Sequence, residues 1–326
     1  MKEIKLLKPQ PAYIIEYPQF TELAKTQNEI FWLADEIEVS KDVQDILVEM
    51  TEAESHGVIT VLKLFTLYEL LAGDEYWGGR IKETFDNPSV HMMANSFSFF
   101  EINVHAPFYN KLNEALNLNN EEFYLSYVDD PILKSRMDMV DNIVNDNDIL
   151  TSIGSFSLIE GAVLYSSFAF LKHFQSQGKN KLLNVVRGIN FSVRDENLHA
   201  LGGAMLYKTL KQEKLAAGES PSYFELVEDK IVEAAKSIYE HECRIVDMIF
   251  EKGKIQGITD LQMRHFIESR INICLKQLGI DPIFEVSYNP IADWFYKGIN
   301  SYQFNDFFTG IGNQYNRNWD ESKFTW

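Results

Sequence analysis

The pattern of apolar and polar positions along this chain predicts a protein built almost entirely from helices. Apolar residues recur in long stretches without the strict alternation of a half-buried strand, and few Asn-Gly or Asp-Gly pairs occur that would form hairpins. These stretches predict helices over residues 58–71, 90–116, 148–175, 180–212, 222–252, 259–278 and 290–302. No repeat, low-complexity tract or Pro/Gly-rich linker divides the chain, so the pattern indicates one all-α domain with a polar C-terminal tail.

Local signals place the two ends of the first helix. Thr51 and Glu54 have the spacing of a capping box, which marks the N-terminal end of a helix. The apolar stretch that follows them ends at residues 72–74, Ala-Gly-Asp, so the pattern predicts that the helix stops there. Glu69 is therefore predicted to lie near the C-terminal end of its helix.

Charged residues inside these apolar helices are the unusual feature of the chain. Glu69, Glu101 and Glu160 each stand among large apolar side chains, and Glu196 stands in the apolar stretch of the fourth predicted helix. A lone buried carboxylate is costly unless it is paired, hydrogen-bonded or bound to a metal. Any one of these acids would also fit an exposed position on an amphipathic helix, so the case for a metal site depends on the set as a whole.

Two of the acids have a histidine at helical spacing. Glu101 precedes His105 by four residues, and Glu196 precedes His199 by three. Residues three or four apart lie on one face of a helix, about 5–6 Å apart at Cβ, so each pair can reach one metal ion. With the other two acids, four carboxylates and two imidazoles come from four helices, which is the ligand count of a dinuclear site in a helical bundle. Such mixed ligands suit iron or manganese, which these grounds do not separate.

The composition narrows the classes of function. The chain has 326 residues, 45% of them hydrophobic, and can bury a large core. Its formal net charge of −18 argues against nucleic acid as a partner. No apolar stretch reaches the roughly 18 uncharged residues of a membrane span, and the N-terminus lacks a signal peptide's apolar core, so a cytoplasmic protein without membrane contact is expected. The two cysteines, Cys243 and Cys274, are too few for a disulfide framework or a thiolate metal site.

Several segments carry a resemblance to a known family. They are residues 31–32, residues 35–40, residues 105–109, Glu160, residues 194–199, residues 289–291, residues 307–308 and Tyr315. From about Trp32 to the C-terminus, the chain resembles the small, radical-generating subunit of class I ribonucleotide reductase. The resemblance implies a ferritin-like helical bundle with additional helices, a homodimer, and a dimetal site that reacts with oxygen or a reduced oxygen species.

The resemblance also implies roles for particular residues. The metal ligands would be Glu69, Glu101, His105, Glu160, Glu196 and His199. Tyr109 stands where most of the family stores a tyrosyl radical. Trp32 and Asp195 match the residues that pass an electron and a proton between the metal site and the surface, with Asp195 bonded to the ring of His105. Tyr315 would pass the oxidising equivalent to the large subunit, and residues 311–326 would form a docking tail after a single domain of residues 1–310.

Two departures from the family pattern bear on the metal site. The first ligand is usually aspartate, whereas this chain has Glu69, a longer acid that also occurs in branches that use manganese or a mixed metal pair. The second pair, Glu101 and His105, is one residue further apart than the usual Glu-x-x-His. Pro107 cannot bond to the Asn103 carbonyl and crowds it, which favours a kink or a π-bulge that absorbs the extra residue. A regular helix with the pair four apart would serve equally well.

Ser192 leaves the location of the stored oxidant open. It precedes Glu196 by one helical turn, where the family commonly has an apolar residue near the radical tyrosine. A hydroxyl there weakens the case for a radical on Tyr109, unless Ser192 bonds back to its own helix. Two options follow, a Tyr109 radical or a high-valent metal pair beside an inert tyrosine, and the pair could be Fe/Fe, Mn/Mn or mixed. A flavoprotein activase is a further candidate partner.

The leading functional hypothesis is the small subunit of class I ribonucleoside-diphosphate reductase, an oxidoreductase. It would generate and store an oxidising equivalent for the large subunit, which reduces ribonucleotides to deoxyribonucleotides. The chain itself has no phosphate-binding glycine loop and no catalytic cysteine pair. One alternative is an independent dimetal oxidase acting on a small substrate, which needs neither Trp32 nor a docking tail. Another is an iron-storage protein, which would lack the Arg194-Asp195 element.

Overall fold

The computed structural model of the protein describes residues 3–286 and 288–296. The side chains of Thr66 and Leu67 are not among the parts described. Three predictions therefore lie outside the described residues: the domain boundary at residue 310, the docking tail of residues 311–326, and the role of Tyr315.

Nine longer helices account for most of the described residues, and no strand occurs among them. They are α1 (Pro18–Glu29), α2 (Glu52–Thr84), α3 (segments Pro88–Phe100, Glu101–His105 and Ala106–Ala115), α4 (Pro131–Val144), α5 (Ile149–Ala162), α6 (Tyr165–Lys172), α7 (Leu183–Ala217), α8 (Pro221–Ile249) and α9 (Asp260–Leu278). Short helical turns cover Lys5–Leu7, Ala34–Glu36, Val39–Asp42, Asp45–Glu49, Glu121–Tyr124, Ser126–Asp129 and His173–Gln175. Residues 290–296 are also helical. The all-α prediction is confirmed.

Four of these helices, α2, α3, α5 and α7, form the centre of the bundle. Helix α7 packs along α5 over the most extensive contact, and α2 packs against α3. Helix α8 covers α2 and α5, while α9 covers α5, α6 and α7. The four central helices carry the predicted metal ligands, so the additional helices shield that region from water.

Helix α2 begins as predicted but continues beyond its predicted end. The Thr51 amide donates to Glu54 Oε2 at 3.0 Å and the Glu54 amide donates to Thr51 Oγ1 at 3.3 Å, which forms the expected capping box. The prediction that the helix ends at residues 72–74 is wrong, because the helix continues as a π-helix over Leu71–Ile81. Gly73 marks close packing, not a stop, since a Cβ there would lie 2.7 Å from the Ile102 side chain.

A second correction concerns the predicted helix over residues 148–175. The helix breaks after Ala162, where Val163 is extended and Leu164 takes a left-handed conformation with φ of 71°. Gly161 precedes the break, but the left-handed residue itself is a leucine, which adopts such a φ only at some cost, so tertiary packing must stabilise it. The break leaves Glu160 in the last turn of α5.

Two helical stretches are long and apolar enough to cross a membrane by length and composition. These are Glu52–Thr84 and Ile149–Gln175, and 75% and 94% of their apolar windows are buried inside the protein. Apolar residues that are buried in this way serve the protein core, so the composition of these stretches is explained by packing.

Candidate metal centre

Helices α2, α3, α5 and α7 bring the six predicted ligands into one buried cluster. Each of the six residues is at most 5% exposed. The cluster comprises Glu69, Glu101, His105, Glu160, Glu196 and His199. Four carboxylates packed together away from water would repel one another strongly, so their convergence calls for positive charge between them.

The ligand atoms fall into two overlapping groups, in each of which the atoms lie within 4.8 Å of one another. One group contains Glu69 and His105, and the other contains Glu160 and His199. Both groups contain Glu101 and Glu196. Two positions that share two carboxylates are the arrangement expected of a dinuclear site with bridging acids.

In the first group, His105 faces three carboxylates. Its Nδ1 atom lies 3.0 Å from Glu101 Oε2, 3.3 Å from Glu196 Oε1 and 3.5 Å from Glu69 Oε2. Because His105 Nδ1 faces all three carboxylates, it could bind a cation that lies among them.

His199 has a similar position in the second group. Its Nδ1 atom lies 2.5 Å from Glu101 Oε1, 3.6 Å from Glu196 Oε2 and 4.0 Å from Glu160 Oε2. Glu101 thus presents one oxygen to each histidine, which places its carboxylate between the two positions.

A π-helical turn aligns the first acid/histidine pair. The segment Glu101–His105 is a π-helix, and the Ala106 amide donates to the Glu101 carbonyl five residues earlier. Of the two alternatives left open by the spacing, the bulge is the one present. Pro107 follows directly, where its missing N–H and its ring would disturb a regular α-helix. The turn places Glu101 and His105 in contact despite the extra residue.

The acids of the cluster differ in their affinity for protons. Burial raises the pKa of Glu69 well above its usual range, and the charge of Glu101 adds to this. Burial likewise raises the pKa of Glu160, with the charge of Glu196 adding to it. Burial alone would raise the pKa of Glu101 too, but the nearby imidazoles, first His199, hold it well below its usual range. Glu101, which belongs to both groups, is therefore kept ionised.

Both histidines of the cluster have a raised affinity for protons. Burial alone would lower the pKa of His105, but the charge of Glu101 and a hydrogen bond with Asp195 raise it well above its usual value. Burial also opposes the charge of Glu101 at His199, and the charge prevails, which raises the pKa of His199 to about 10. In the absence of a cation, these imidazolium groups supply the positive charge that the carboxylates require.

Several of the buried ligand atoms have no hydrogen-bond partner among the described residues. They include Glu69 Oε1, Glu101 Oε1 and both ring nitrogens of His199. Glu101 Oε1 and His199 Nδ1 are 2.5 Å apart, yet the contact lacks hydrogen-bond geometry. Buried oxygen and nitrogen atoms that converge without hydrogen-bond partners fit a metal pair, and such donors suit iron or manganese.

The other ring nitrogen of His105 faces away from the cluster. His105 Nε2 lies 3.1 Å from Asp195 Oδ2, and Trp32 Nε1 donates to the same oxygen at 2.8 Å. Trp32 is 1% exposed and Asp195 fully buried. Beyond them, Arg194 donates to the Ile30 carbonyl at 2.6 Å and is partly exposed. The sequence placed Trp32, Asp195 and His105 together, and the structure joins them by hydrogen bonds.

Trp77 is a contact of the cluster that the sequence analysis missed. Its Nε1 atom donates to Glu160 Oε1 at 2.6 Å, and its ring is fully buried. Trp77 follows Glu69 by eight residues, about two helical turns, which would have placed it on the same face of α2. The signal was lost because the helix was predicted to end at residues 72–74.

Tyr109 lies in an apolar pocket beside the first group. Its ring is 4.4 Å from that of Phe65, and the pKa of its hydroxyl is raised well above its usual value by burial and by the charge of Glu69. Ser192 is close enough to oppose that shift. Neither hydroxyl has a hydrogen-bond partner among the described residues, so the bond from Ser192 back to its own helix is not found.

Comparison with known proteins identifies the family. The family model for the ribonucleotide reductase small chain matches residues 12–290. The chain therefore belongs to this family. Ribonucleoside-diphosphate reductase subunit M2 of Rattus norvegicus is 24% identical, over 93% of this chain and 78% of its own length. The ribonucleoside-diphosphate reductase small subunit of Dictyostelium discoideum is 25% identical, over 91% of this chain and 83% of its own length.

Solved structures of ribonucleotide reductase proteins share the fold. The R2 subunit of Clostridium botulinum superimposes with a TM-score of 0.75 at 20% identity, over 87% of this chain and 88% of that one. The dimanganese(II) NrdF protein of Streptococcus sanguinis gives 0.73 at 23% identity, over 87% and 97%. The predicted ferritin-like helical fold is thus confirmed. The chain is a ribonucleotide reductase small subunit, an oxidoreductase, and neither alternative function is favoured.

Proposed function

We propose that the buried cluster holds two metal ions, iron or manganese, that are activated by oxygen or a reduced oxygen species. The ligands would be Glu69, Glu101, His105, Glu160, Glu196 and His199. The observation that carries this proposal is the pair of overlapping ligand groups, in which Glu101 and Glu196 belong to both. The metal pair, when bound, supplies the oxidising power that starts the reductase reaction.

Trp32 and Asp195 provide the route between this centre and the surface. The hydrogen bonds that Trp32 Nε1 and His105 Nε2 donate to Asp195 support the transfer of an electron, with Asp195 holding the His105 Nε2 proton. Tyr109 lies beside Glu69 in a dry pocket, which supports it as the store of the oxidising equivalent. Tyr315 is proposed to pass that equivalent to the large subunit.

The partners follow from membership of the family. We expect a homodimer that works with the large subunit, which docks through residues 311–326 after a single domain of residues 1–310. A flavoprotein activase is a further candidate. The protein would act in the cytoplasm, without binding nucleic acid or membranes, and the net charge of −18 supports the first of these exclusions.

Manganese should be tested together with iron. The Streptococcus sanguinis relative holds two manganese(II) ions, and the first ligand of this chain is the longer acid Glu69. An extra methylene moves the carboxylate and changes the fit of each ion, so a dimanganese or mixed pair is a specific alternative to di-iron.

Metal analysis with electron paramagnetic resonance tests the centre and the store together. The activated wild-type protein should contain two metal ions per chain, and Tyr109→Phe should keep both. Loss of an organic radical signal in Tyr109→Phe would place the oxidising equivalent on Tyr109. A metal-centred signal that survives the substitution together with activity would place it on the metals, and fewer than two ions in activated wild type would contradict the dinuclear centre.

Truncation after Arg317 tests the docking tail. Reductase activity with the large subunit should be lost while both metal ions remain bound, because the tail is remote in sequence from every ligand. Full activity of the truncated protein would count against the proposed docking role.

A further inference from the structure

Arg270 on α9 is a buried cation held by uncharged groups. It is 3% exposed and forms no ion pair with any described residue. Its Nε and Nη2 atoms donate to the Gly161 carbonyl at 3.0 and 2.7 Å, and Nη2 also donates to Asn197 Oδ1 at 3.2 Å. The guanidinium stacks on Tyr165, 3.9 Å from the ring centre. A charge buried without a counter-ion is costly, so the contacts that Arg270 makes must offset that cost.

The residues that Arg270 holds are direct neighbours of two proposed ligands. Gly161 follows Glu160, and Asn197 follows Glu196. Because α5 ends at Ala162, the Gly161 carbonyl has no helical partner and is free to accept from the guanidinium. One planar side chain with several donors thus links the backbone next to Glu160 with the helix that carries Glu196.

A third contact of Arg270 leads towards the C-terminal part of the chain. Its Nη1 atom donates to Tyr296 Oη at 3.2 Å, with the guanidinium 5.8 Å from the Tyr296 ring centre. Tyr296 belongs to the helical residues 290–296, whose start is capped by Asn289, since the Ile291 amide donates to Asn289 Oδ1 at 2.8 Å. In the sequence, residues 297–326 follow directly.

We propose that Arg270 is a positioning residue that couples occupancy of the metal centre to the order of residues 290–296. The coupling rests on the proposed function, because it requires ions at Glu160 and Glu196. Ions that fix these two acids also fix Gly161 and Asn197, and the hydrogen bonds of Arg270 carry this constraint to Tyr296. The effect is reciprocal, so a partner that orders residues 290–296 also strengthens metal binding. Metal loading is thereby communicated to the segment that precedes the C-terminal residues.

Hydrogen exchange in the full-length protein, without metal and with saturating manganese(II), tests the coupling. In wild type, manganese should slow exchange of the amides at residues 291–296 by about fivefold or more, the lower end of couplings between linked sites. Arg270→Lys keeps the charge but loses the planar fork, and Tyr296→Phe removes only the distal hydroxyl. Both variants should reduce the manganese effect on these amides to near zero, at a metal content checked for each sample.

A matched control removes a different tyrosine hydroxyl that bonds to the same helix. Tyr239 Oη donates to Glu268 of α9 at 3.1 Å, and none of its described contacts involves a proposed ligand or its neighbours. Tyr239→Phe should therefore leave the manganese effect at residues 291–296 unchanged. An equal loss of the effect in Tyr239→Phe would overturn the specific route through Arg270.

Two other results would overturn the proposal. One is manganese bound to wild type with unchanged exchange at residues 291–296. The other is a full manganese effect retained in Tyr296→Phe. If wild type binds neither manganese(II) nor iron(II) more strongly than Glu196→Ala does, the metal centre itself fails, and the binding measurement distinguishes that failure from a failure of the coupling.

Discussion

The two halves of the candidate metal centre use the same residue types on different helical geometries. In α7, Glu196 and His199 are three residues apart on a regular helix. In α3, Glu101 and His105 are four apart on a π-helical turn. Both pairs nevertheless direct a carboxylate and an imidazole nitrogen into one cluster. Whether two residues lie on the same helical face therefore depends on the local hydrogen-bond pattern of the helix as much as on their spacing in sequence.

The halves differ more in what surrounds them. The outer nitrogen of His105 bonds to Asp195, whereas the outer nitrogen of His199 is buried with no partner among the described residues and its ring packs 4.4 Å from Phe97. The proposed route towards the surface therefore begins at the His105 half. The His199 half is closed by aromatic rings, among them Trp77.

Removal of a shared acid should have the largest effect, because Glu101 and Glu196 belong to both ligand groups. Either residue replaced by Ala should lose both ions, whereas Glu69→Ala should retain the ion of the His199 half. Glu75→Ala, an exposed acid on α2, serves as the control and should bind two ions. Metal content after gel filtration measures each outcome, and two ions retained in Glu196→Ala would refute the ligand assignment.

Single-residue deletions should distinguish the two helical geometries. Deletion of Asn197 turns His199 by about 100° relative to Glu196 and should abolish metal binding at this half. Deletion of Asn103, an exposed residue in the π-turn, should restore a regular helix and keep the metal pair. Pro107 then enters a regular helix at a cost of about 3 kcal/mol, so the deletion should regain stability when Pro107→Ala is added.

Metal analysis and urea unfolding measure both effects of these deletions. Equal loss of metal in the two deletion variants would show that the π-turn is required in its own right, and not merely as a way to absorb one residue.

The two buried tryptophans should have different roles. Trp32→Phe removes the donor to Asp195 and should abolish reductase activity with the large subunit while both ions remain bound. Trp77→Phe removes a donor to the proposed ligand Glu160 and should weaken metal binding by about tenfold, with activity restored by excess metal. Activity assays at two metal concentrations separate these results, and a normal metal affinity in Trp77→Phe would contradict its role in orienting Glu160.

The pH dependence of metal binding should show the smallest difference between the halves. The pKa values of His105 and His199 are raised in the metal-free protein, so both rings carry protons that a metal must displace. Affinity should therefore rise with pH between 6 and 8, by about tenfold per pH unit for each proton released.

Asp195→Asn lowers the proton affinity of His105 alone. The number of protons released on metal binding should therefore fall by less than one. Manganese(II) titrations followed by calorimetry in buffers of different ionisation enthalpy count the protons. A metal affinity that does not change with pH would mean that metal binding releases no protons from the histidines.

Much of the fold and the ligand set follows from patterns a few residues long. Apolar periodicity located α3, α7, α8 and α9 to within a few residues, and the capping box marked the start of α2. The spacing of Glu196 and His199 places them on one face of any regular helix. Such features depend on local backbone geometry, which neighbouring residues determine.

Other features were missed because they depend on contacts between distant residues. The continuation of α2 past Gly73 is stabilised by packing against Ile102, and the left-handed turn falls on Leu164, a residue type that does not predict it. The hydrogen bond from Trp77 to Glu160 spans 83 positions. Neither propensity nor spacing contains this information, because it arises only when the helices pack.

The sequence by itself determined an all-helical chain, its family, and which acids and histidines belong together. Only the tertiary structure decided the π-helical turn at residues 101–105, the hydrogen bond from Trp77 to Glu160, and the link from Arg270 to Gly161 across 109 positions. The physical reason is that spacing specifies which side chains share a helical face, whereas the partner of a buried polar group is chosen by whichever helix packs against that face.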